Sequence, residues 1–172
     1  NNNWKRPIYF SVGVSNDSYI GLDKYLYMEG AAYRLLPIKA ETETAKYENT
    51  NTMLAFKHYQ NFEFAGYKTA KYLDPESRRV LQGTWSFANT LTTNLLKENQ
   101  TAMAKKVVDK SLSELPLRNW SISDTVNKVS LIANLNQLKM NIKAIEISQK
   151  TAKYVAQEFD YILSLSPEQQ MN

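Results

Sequence analysis

Few side chains in this chain are of a type and spacing that would let them act together as acids, bases or nucleophiles. His58 is the only histidine of the 172 residues and Cys is absent, which excludes a two-histidine metal site and any zinc site built on thiolates. The neighbours of His58 supply no carboxylate, so we expect a partly exposed helix residue rather than a general base. We therefore predict no catalytic residue, no metal site and no cofactor in this chain.

Paired carboxylates are the remaining route to catalysis. Acid pairs such as Glu41 and Glu43 lie in a polar connector, where solvated carboxylates are expected. A glycosidase needs two acids that face each other across a cleft, which is a property of the fold rather than of the sequence. The five glycines form neither of the phosphate-binding glycine motifs. Binding is thus the favoured activity, and a glycan hydrolase with paired carboxylates is the alternative.

Aromatic and basic side chains are the best candidates for a binding role. Trp4 and Trp120 lie in irregular segments, where they are available to stack on sugars or to anchor a partner. Trp85 falls on an apolar helical stripe and is expected in the core. Lys105 and Lys106 form a small basic cluster on a predicted helix. The predicted binding residues are Trp4, Trp120, Lys105 and Lys106.

Charge and hydrophobicity exclude two classes of partner. The 21 Lys and Arg residues exceed the 17 Asp and Glu residues by only four, and they are spread along the chain. A surface that follows nucleic-acid phosphates needs its basic residues concentrated on one face, so we predict no nucleic-acid partner. No run approaches the roughly 18 consecutive apolar residues that a membrane-spanning helix requires. We expect that this segment does not span a membrane.

The first 73 residues predict a small mixed unit followed by a connector. Residues 1–40 read as strand, helix and strand, with strands over residues 7–14 and 32–38 and a helix over residues 19–29 that a left-handed Gly30 ends. Residues 41–73 read as a polar connector with a short helix and an aromatic loop.

Residues 74–172 predict helices throughout. Asp74 and Pro75 are typical of a helix start, and the first two helices should end near Glu98 and Leu115. Apolar stripes predict two more helices: Val126, Val129 and Ala133 in the third; Ile145, Ala152, Val155, Phe159 and Ile162 in the fourth. Connections of two or three residues require antiparallel hairpins.

The predicted fold class is α+β, mainly α. A strand-helix-strand unit precedes antiparallel helix hairpins whose spacing is near the 34 residues of a tetratricopeptide repeat. We expect a TPR-like helical array, with a generic helix bundle as the alternative, and one compact domain over the three parts 1–40, 41–73 and 74–172.

Several segments resemble a known family. They are WKRPIYF (residues 4–10), YIGLDKYL (19–26), EGAAYRLLPI (29–38), FEFAG (62–66), YLDPE (72–76) and FDYILSL (159–165). In these the chain is similar to the C-terminal part of large Gram-negative bacterial membrane proteins, a family of unknown function similar to protein O-mannosyltransferases. The first forty residues are the specific part of this resemblance, which spans most of the chain.

The resemblance implies a soluble tail on the periplasmic side of the inner membrane, following a many-helix membrane domain. The sugar-transfer acid of such a family would lie in that membrane domain, so no catalytic residue is carried over. We expect a non-catalytic domain that presents a helical surface to a protein or glycan acceptor, or that packs on its own membrane domain. A self-contained periplasmic glycan hydrolase is the alternative, and a purely structural domain is a third.

Overall fold

The structure is a computed structural model that describes residues 4–11, 16–30, 32–39, 51–64, 66–119 and 121–166. Contacts divide the chain into two compact units, Asn1–Leu115 and Pro116–Asn172. The boundaries expected at residues 40 and 73 fall inside the first unit. The expectation of one compact domain stays a prediction, and each unit is described by itself.

The first unit begins with a three-stranded antiparallel sheet. Its strands are β1 (Tyr9–Ser11), β2 (Leu26–Met28) and β3 (Ala32–Leu35), in the order β1-β3-β2. Phe10, Tyr33 and Met28 are cross-strand neighbours and point to the inner face. Tyr19 is 2% exposed and packs edge-on against Phe10 and Tyr33, with ring centroids 5.7 and 6.1 Å away. These contacts form the core under the sheet.

The helix expected over residues 19–29 is wrong. In its place are 3-10 turns at Asn16–Tyr19 and Asp23–Tyr25, followed by β2. Ile20 and Gly21 have φ angles of 53° and 74°, and two successive left-handed residues end any right-handed helix. The predicted helical spacing included Leu26 and Met28, which are buried on one face of β2 because they are two residues apart.

Gly30 has the predicted left-handed backbone, with a φ of 77°, although it connects β2 to β3 instead of ending a helix. A Cβ atom at this position would lie 3.2 Å from Nδ1 of His58. His58 belongs to α1 (Thr52–Asn61), so the backbone of the turn lies directly against this helix. The position therefore requires glycine both for its φ angle and for the close approach.

The described part of the first unit also contains three α-helices: α1, α2 (Pro75–Lys97) and α3 (Thr101–Glu114). Asp74 caps α2, because its carboxylate accepts hydrogen bonds from the backbone N–H groups of Glu76 and Ser77. The ends of α2 and α3 lie within one residue of their predicted positions. Cap residues and a proline are strong local signals, which explains this agreement.

The helical core follows the apolar stripe predicted for α2. The buried residues of that stripe are Leu81, Trp85, Ala88, Leu91 and Leu95. On α3 the buried face consists of Ala104, Val107, Val108 and Ser111. Tyr59 of α1 is fully buried beside the rings of Phe62, Phe64 and Phe87, at centroid distances of 5.7 to 5.9 Å. The three helices thus share one core.

The second unit is a helix hairpin of α4 (Asp124–Gln137) and α5 (Asn141–Ser164). The Asp124 carboxylate accepts a hydrogen bond from the Ser121 backbone N–H at 3.0 Å at the start of α4. Lys128 lies one turn further on, and both side chains are buried. Burial lowers the pKa of Lys128, and the charge of Asp124 opposes this shift.

The hairpin packs through a face other than the apolar stripes that predicted its helices. Val126, Val129, Ile145 and Phe159 are 57% to 68% exposed. Besides Asp124 and Lys128, the buried positions are Leu131, Asn134, Leu135, Ala144, Ile147 and Thr151. The fold class, α+β and mainly α, is confirmed, while tetratricopeptide geometry stays a prediction.

Candidate functional site

The outer face of the sheet carries a row of two aromatic side chains and one cationic side chain. Tyr9 is the direct neighbour of Arg34 across β1 and β3, and Arg34 is the direct neighbour of Tyr27 across β3 and β2. Adjacent strands are roughly 4.8 Å apart, so the backbones that carry the two tyrosines are about 10 Å apart, with the backbone of Arg34 between them. We call Tyr9, Tyr27, Arg34 and the nearby Glu29 the sheet platform.

Glu29 fixes the positions of two members of this row. One carboxylate oxygen accepts a hydrogen bond from the Tyr9 hydroxyl at 2.5 Å, and the other accepts one from Nη1 of Arg34 at 3.2 Å. The Glu29 side chain is only 8% exposed. A buried carboxylate requires a compensating charge, and the guanidinium of Arg34 provides it. The hydrogen bond to Glu29 raises the pKa of Tyr9, because the neutral hydroxyl is the donor in that bond.

The row remains open to solvent. Tyr9 is 47% exposed, and the Arg34 side chain is 34% exposed. Tyr27 is half-buried and donates a hydrogen bond to the Ile38 carbonyl oxygen at 3.2 Å. The sheet platform therefore combines fixed aromatic rings with hydrogen-bonding groups on an accessible surface, and this combination is suited to binding.

A second feature is an open cleft of about 440 Å³ in the first unit, beside the ends of α1 and α3. Phe62 and Phe64 contribute aromatic surface to it, Lys68 and Lys110 contribute cations, and two carboxylates border it. These carboxylates are Glu63 and Glu114.

Contacts with helix ends account for the two lysines of the cleft. Lys110 Nζ lies 3.2 Å from the Gln60 carbonyl oxygen in the last turn of α1 and 3.3 Å from the Glu114 carboxylate. Lys68 Nζ donates to the Ser113 carbonyl oxygen in the last turn of α3. Cations at these positions compensate the partial negative charge of helix C-termini. The lysines thus have a structural role in the first unit.

A third feature is an apolar groove of about 420 Å³ between α4 and α5 in the second unit. Val129, Ile132, Val155 and Phe159 are among the residues that line it. Val129 and Phe159 are 61% and 59% exposed, so the groove is open to solvent.

The residues predicted from sequence are not members of the sheet platform, and one of them lies outside the described residues. Trp4 precedes β1, is 47% exposed and has a φ of 58°. Lys105 and Lys106 are exposed on α3, next to its buried face. Trp120 lies outside the described residues. The structure places Trp4 and the two lysines on different elements, and their roles in binding stay predictions.

Sequence reasoning missed the sheet platform, although a weak signal for it exists. Tyr27 stands between two apolar residues in the sequence, and Arg34 also stands between Tyr33 and Leu35. Such alternation has the period of a strand with one solvent-facing side. The alternation on β2 was not recognised because residues 19–29 were predicted to form a helix.

Comparisons with known proteins bear on the N-terminal third of the chain. Residues 1–54 match the family model described as TMEM260-associated domain 2. The three strands and the sheet platform lie within the matched residues. Comparisons with the curated proteins and with solved structures gave no match. The match relates this part of the chain to a domain of a membrane-protein family.

The described residues contain neither a membrane-spanning helix nor a metal-binding cluster. None of the described helices combines the length and hydrophobicity that a membrane crossing requires. Within the same residues, no three or more His, Asp and Glu side chains are grouped so as to hold a metal ion.

Proposed function

We propose that the chain is a non-catalytic, extracytoplasmic domain of a membrane glycosyltransferase-like protein and that it binds the protein or glycan acceptor. The observation that carries this proposal is the row of Tyr9, Arg34 and Tyr27 on the open face of the sheet. The row lies inside residues 1–54, which match a domain associated with a membrane protein. The resemblance to relatives of protein O-mannosyltransferases supports a location of this domain on the periplasmic side and a link to sugar transfer.

Preorganisation supports binding at the sheet platform. Tyrosine has few rotatable bonds, so little side-chain entropy is lost when a ligand covers its ring. Glu29 holds Tyr9 and Arg34 in place through two hydrogen bonds. A ligand would therefore meet groups that are already positioned.

The helical surface has a second place in this proposal. Lys105 and Lys106 on α3 would contact the protein's own membrane domain, whose presence the resemblance implies. Lys105→Ala with Lys106→Ala should then weaken the association of the chain with that membrane domain and leave acceptor affinity unchanged.

The test compares acceptor use by the full-length membrane protein with and without the sheet platform. Tyr27→Thr removes one ring but keeps a residue that is favoured in strands. We expect the KM for acceptor to rise severalfold with kcat nearly unchanged, because the chain contributes binding and not chemistry. Tyr161→Ala, at an exposed tyrosine of α5, is the matched control and should change neither constant. An unchanged KM in Tyr27→Thr would contradict the proposal.

One observation favours the glycan hydrolase as a second candidate. Glu63 and Glu114 border the same cleft, next to the rings of Phe62 and Phe64. Retaining and inverting glycosidases both use two such acids. Glu114 lies 3.3 Å from Lys110 Nζ, and Glu63 would be the second acid of the pair.

The purified chain provides the test of this candidate. A hydrolase would turn over aryl glycosides, and Glu63→Gln or Glu114→Gln would abolish that turnover. We expect no turnover from the unmodified chain, as the binding proposal requires.

A further inference from the structure

We propose that the ligand of the sheet platform is an uncharged oligosaccharide of at least two sugar units. This inference rests on the proposed function and names the class of molecule that the same site takes. It follows from the charge balance of Tyr9, Tyr27, Arg34 and Glu29, from the spacing of the two rings, and from the hydrogen-bonding groups between them.

The charge balance disfavours an ionic ligand. Arg34 and Glu29 form an ion pair at 3.2 Å, so the positive and negative charges of the sheet platform cancel locally. A carboxylate or phosphate group would have to compete with Glu29 for the guanidinium, and an ammonium group would have to compete with Arg34. An uncharged ligand does not have to displace either Glu29 or Arg34 from their ion pair.

The spacing sets a minimum length for the ligand. The backbones that carry Tyr9 and Tyr27 are two strand spacings apart, about 10 Å, so a ligand that contacts both side chains is longer than one pyranose ring. The apolar faces of two sugar units in one chain can pack on the two tyrosines at the same time. A monosaccharide would contact only one ring and bind correspondingly more weakly.

The polar groups of the sheet platform match sugar hydroxyls. The Tyr9 hydroxyl donates to Glu29 and the Tyr27 hydroxyl donates to Ile38, so each oxygen is left as an acceptor. The guanidinium of Arg34 provides donors between them. A sugar hydroxyl both donates and accepts, whereas a proline-rich peptide offers almost only acceptors.

The experiment is an NMR titration of the purified 172-residue chain with amide and tyrosine ring signals assigned. The probes are a linear neutral tetrasaccharide, its monosaccharide, a uronic-acid oligosaccharide of equal length and a proline-rich peptide. We expect the neutral tetrasaccharide to shift signals of β1, β2 and β3, and to bind at least tenfold more tightly than each of the other probes.

Two variants locate the site. Tyr27→Thr and Tyr9→Thr each remove one ring and keep strand propensity, so each should weaken tetrasaccharide binding about fivefold to tenfold. Tyr161→Ala is the matched control and should bind like the unmodified chain. Amide signals of α2 and α3 in the variants report that the first unit is folded, and two variants keep the test valid if one of them misfolds.

Several results would overturn the inference. They are equal or tighter binding of the uronic-acid oligosaccharide or the peptide, shifts confined to α4 and α5, and no shift with millimolar tetrasaccharide. If the peptide bound while Tyr27→Thr raised the acceptor KM of the full-length protein, only the ligand class would be wrong. If the tetrasaccharide bound while that KM was unchanged, the proposed function would fail and the ligand class would stand.

Discussion

The hydroxyl groups of Tyr59 and Ser111 lie 2.6 Å apart in the core of the first unit and join α1 to α3. Ser111 donates its single hydroxyl proton to the Val107 carbonyl oxygen at 2.7 Å, so Tyr59 is the donor in the pair. Tyr59 is fully buried and Ser111 is 1% exposed. The pair therefore has no access to water that could replace a lost partner.

The direction of this hydrogen bond predicts unequal effects of the two deletions. Ser111→Ala leaves the Tyr59 hydroxyl as a buried donor without an acceptor, which costs about 1 to 3 kcal/mol of unfolding free energy. Tyr59→Phe leaves the Ser111 donation to Val107 intact and should cost about 1 kcal/mol. Urea unfolding of both variants measures the difference. A larger loss in Tyr59→Phe than in Ser111→Ala would contradict the assigned direction.

Burial also predicts how stability depends on alkaline pH. It raises the pKa of Tyr59 from 10.0 to about 12. Because the folded-state pKa is the higher one, this stabilising contribution is complete below pH 10 and is lost as the pH rises to 12. The loss amounts to about 2 to 3 kcal/mol.

Tyr59→Phe isolates this effect from the other tyrosines, since it removes only this titration. The unfolding free energy of the unmodified chain should fall more steeply between pH 10 and 12 than that of the variant. Parallel pH curves for the two proteins would show that Tyr59 does not titrate in this way.

Substitution of Gly30 can separate the energetic cost of backbone strain from that of steric crowding. Gly30→Ala places a methyl group 3.2 Å from His58 Nδ1 at a φ of 77°. Gly21→Ala is the matched control, because its φ is 74° and no atom lies within 4 Å of the added Cβ. The unfolding free energy of Gly21→Ala should fall by about 1 kcal/mol, because only backbone strain is added. That of Gly30→Ala should fall by more.

The double variant Gly30→Ala with His58→Ala tests the contact itself. Removing the imidazole should recover part of the extra loss and leave the strain term. Urea unfolding measures these free energies. If Gly30→Ala and Gly21→Ala lowered the unfolding free energy equally, α1 would have moved away from the added methyl group without an energetic cost.

The sequence predicts the helices of the first unit because their signals are local. Asp74 and Pro75 define the start of α2, and Asn99 ends it in a left-handed conformation with a φ of 61°. These residues act through the backbone of their own helix, so no tertiary information is needed.

Tertiary pairing determines what the sequence does not predict. β2 exists because it pairs with β3, and Tyr27 becomes a neighbour of Arg34 only through that register. The sheet platform could therefore be found only after the strands were aligned. The exposed apolar stripes of α4 and α5 show the same dependence, since the face through which the two helices pack contains Leu131, Leu135 and Ala144 instead.

The turns of the two helix hairpins have the same backbone geometry. The backbone N–H of Gln100 donates to the Leu95 carbonyl oxygen, and that of Met140 donates to the Leu135 carbonyl oxygen, at 2.8 and 2.9 Å. Each bond closes a Schellman motif around a left-handed residue. That residue is Asn99 in the first unit and Lys139, with a φ of 58°, in the second.

Lys139→Gly should stabilise the second unit by about 1 kcal/mol, because glycine adopts the left-handed conformation without the steric cost of a Cβ atom. Lys139→Ala is the matched control and should give no gain, since it keeps the Cβ atom. Asn99→Gly should gain less than Lys139→Gly, because asparagine tolerates this conformation better than lysine does. Thermal and urea unfolding measure all three variants. A gain in Lys139→Ala as large as in Lys139→Gly would show that the lysine charge, and not its backbone conformation, limits stability at this turn.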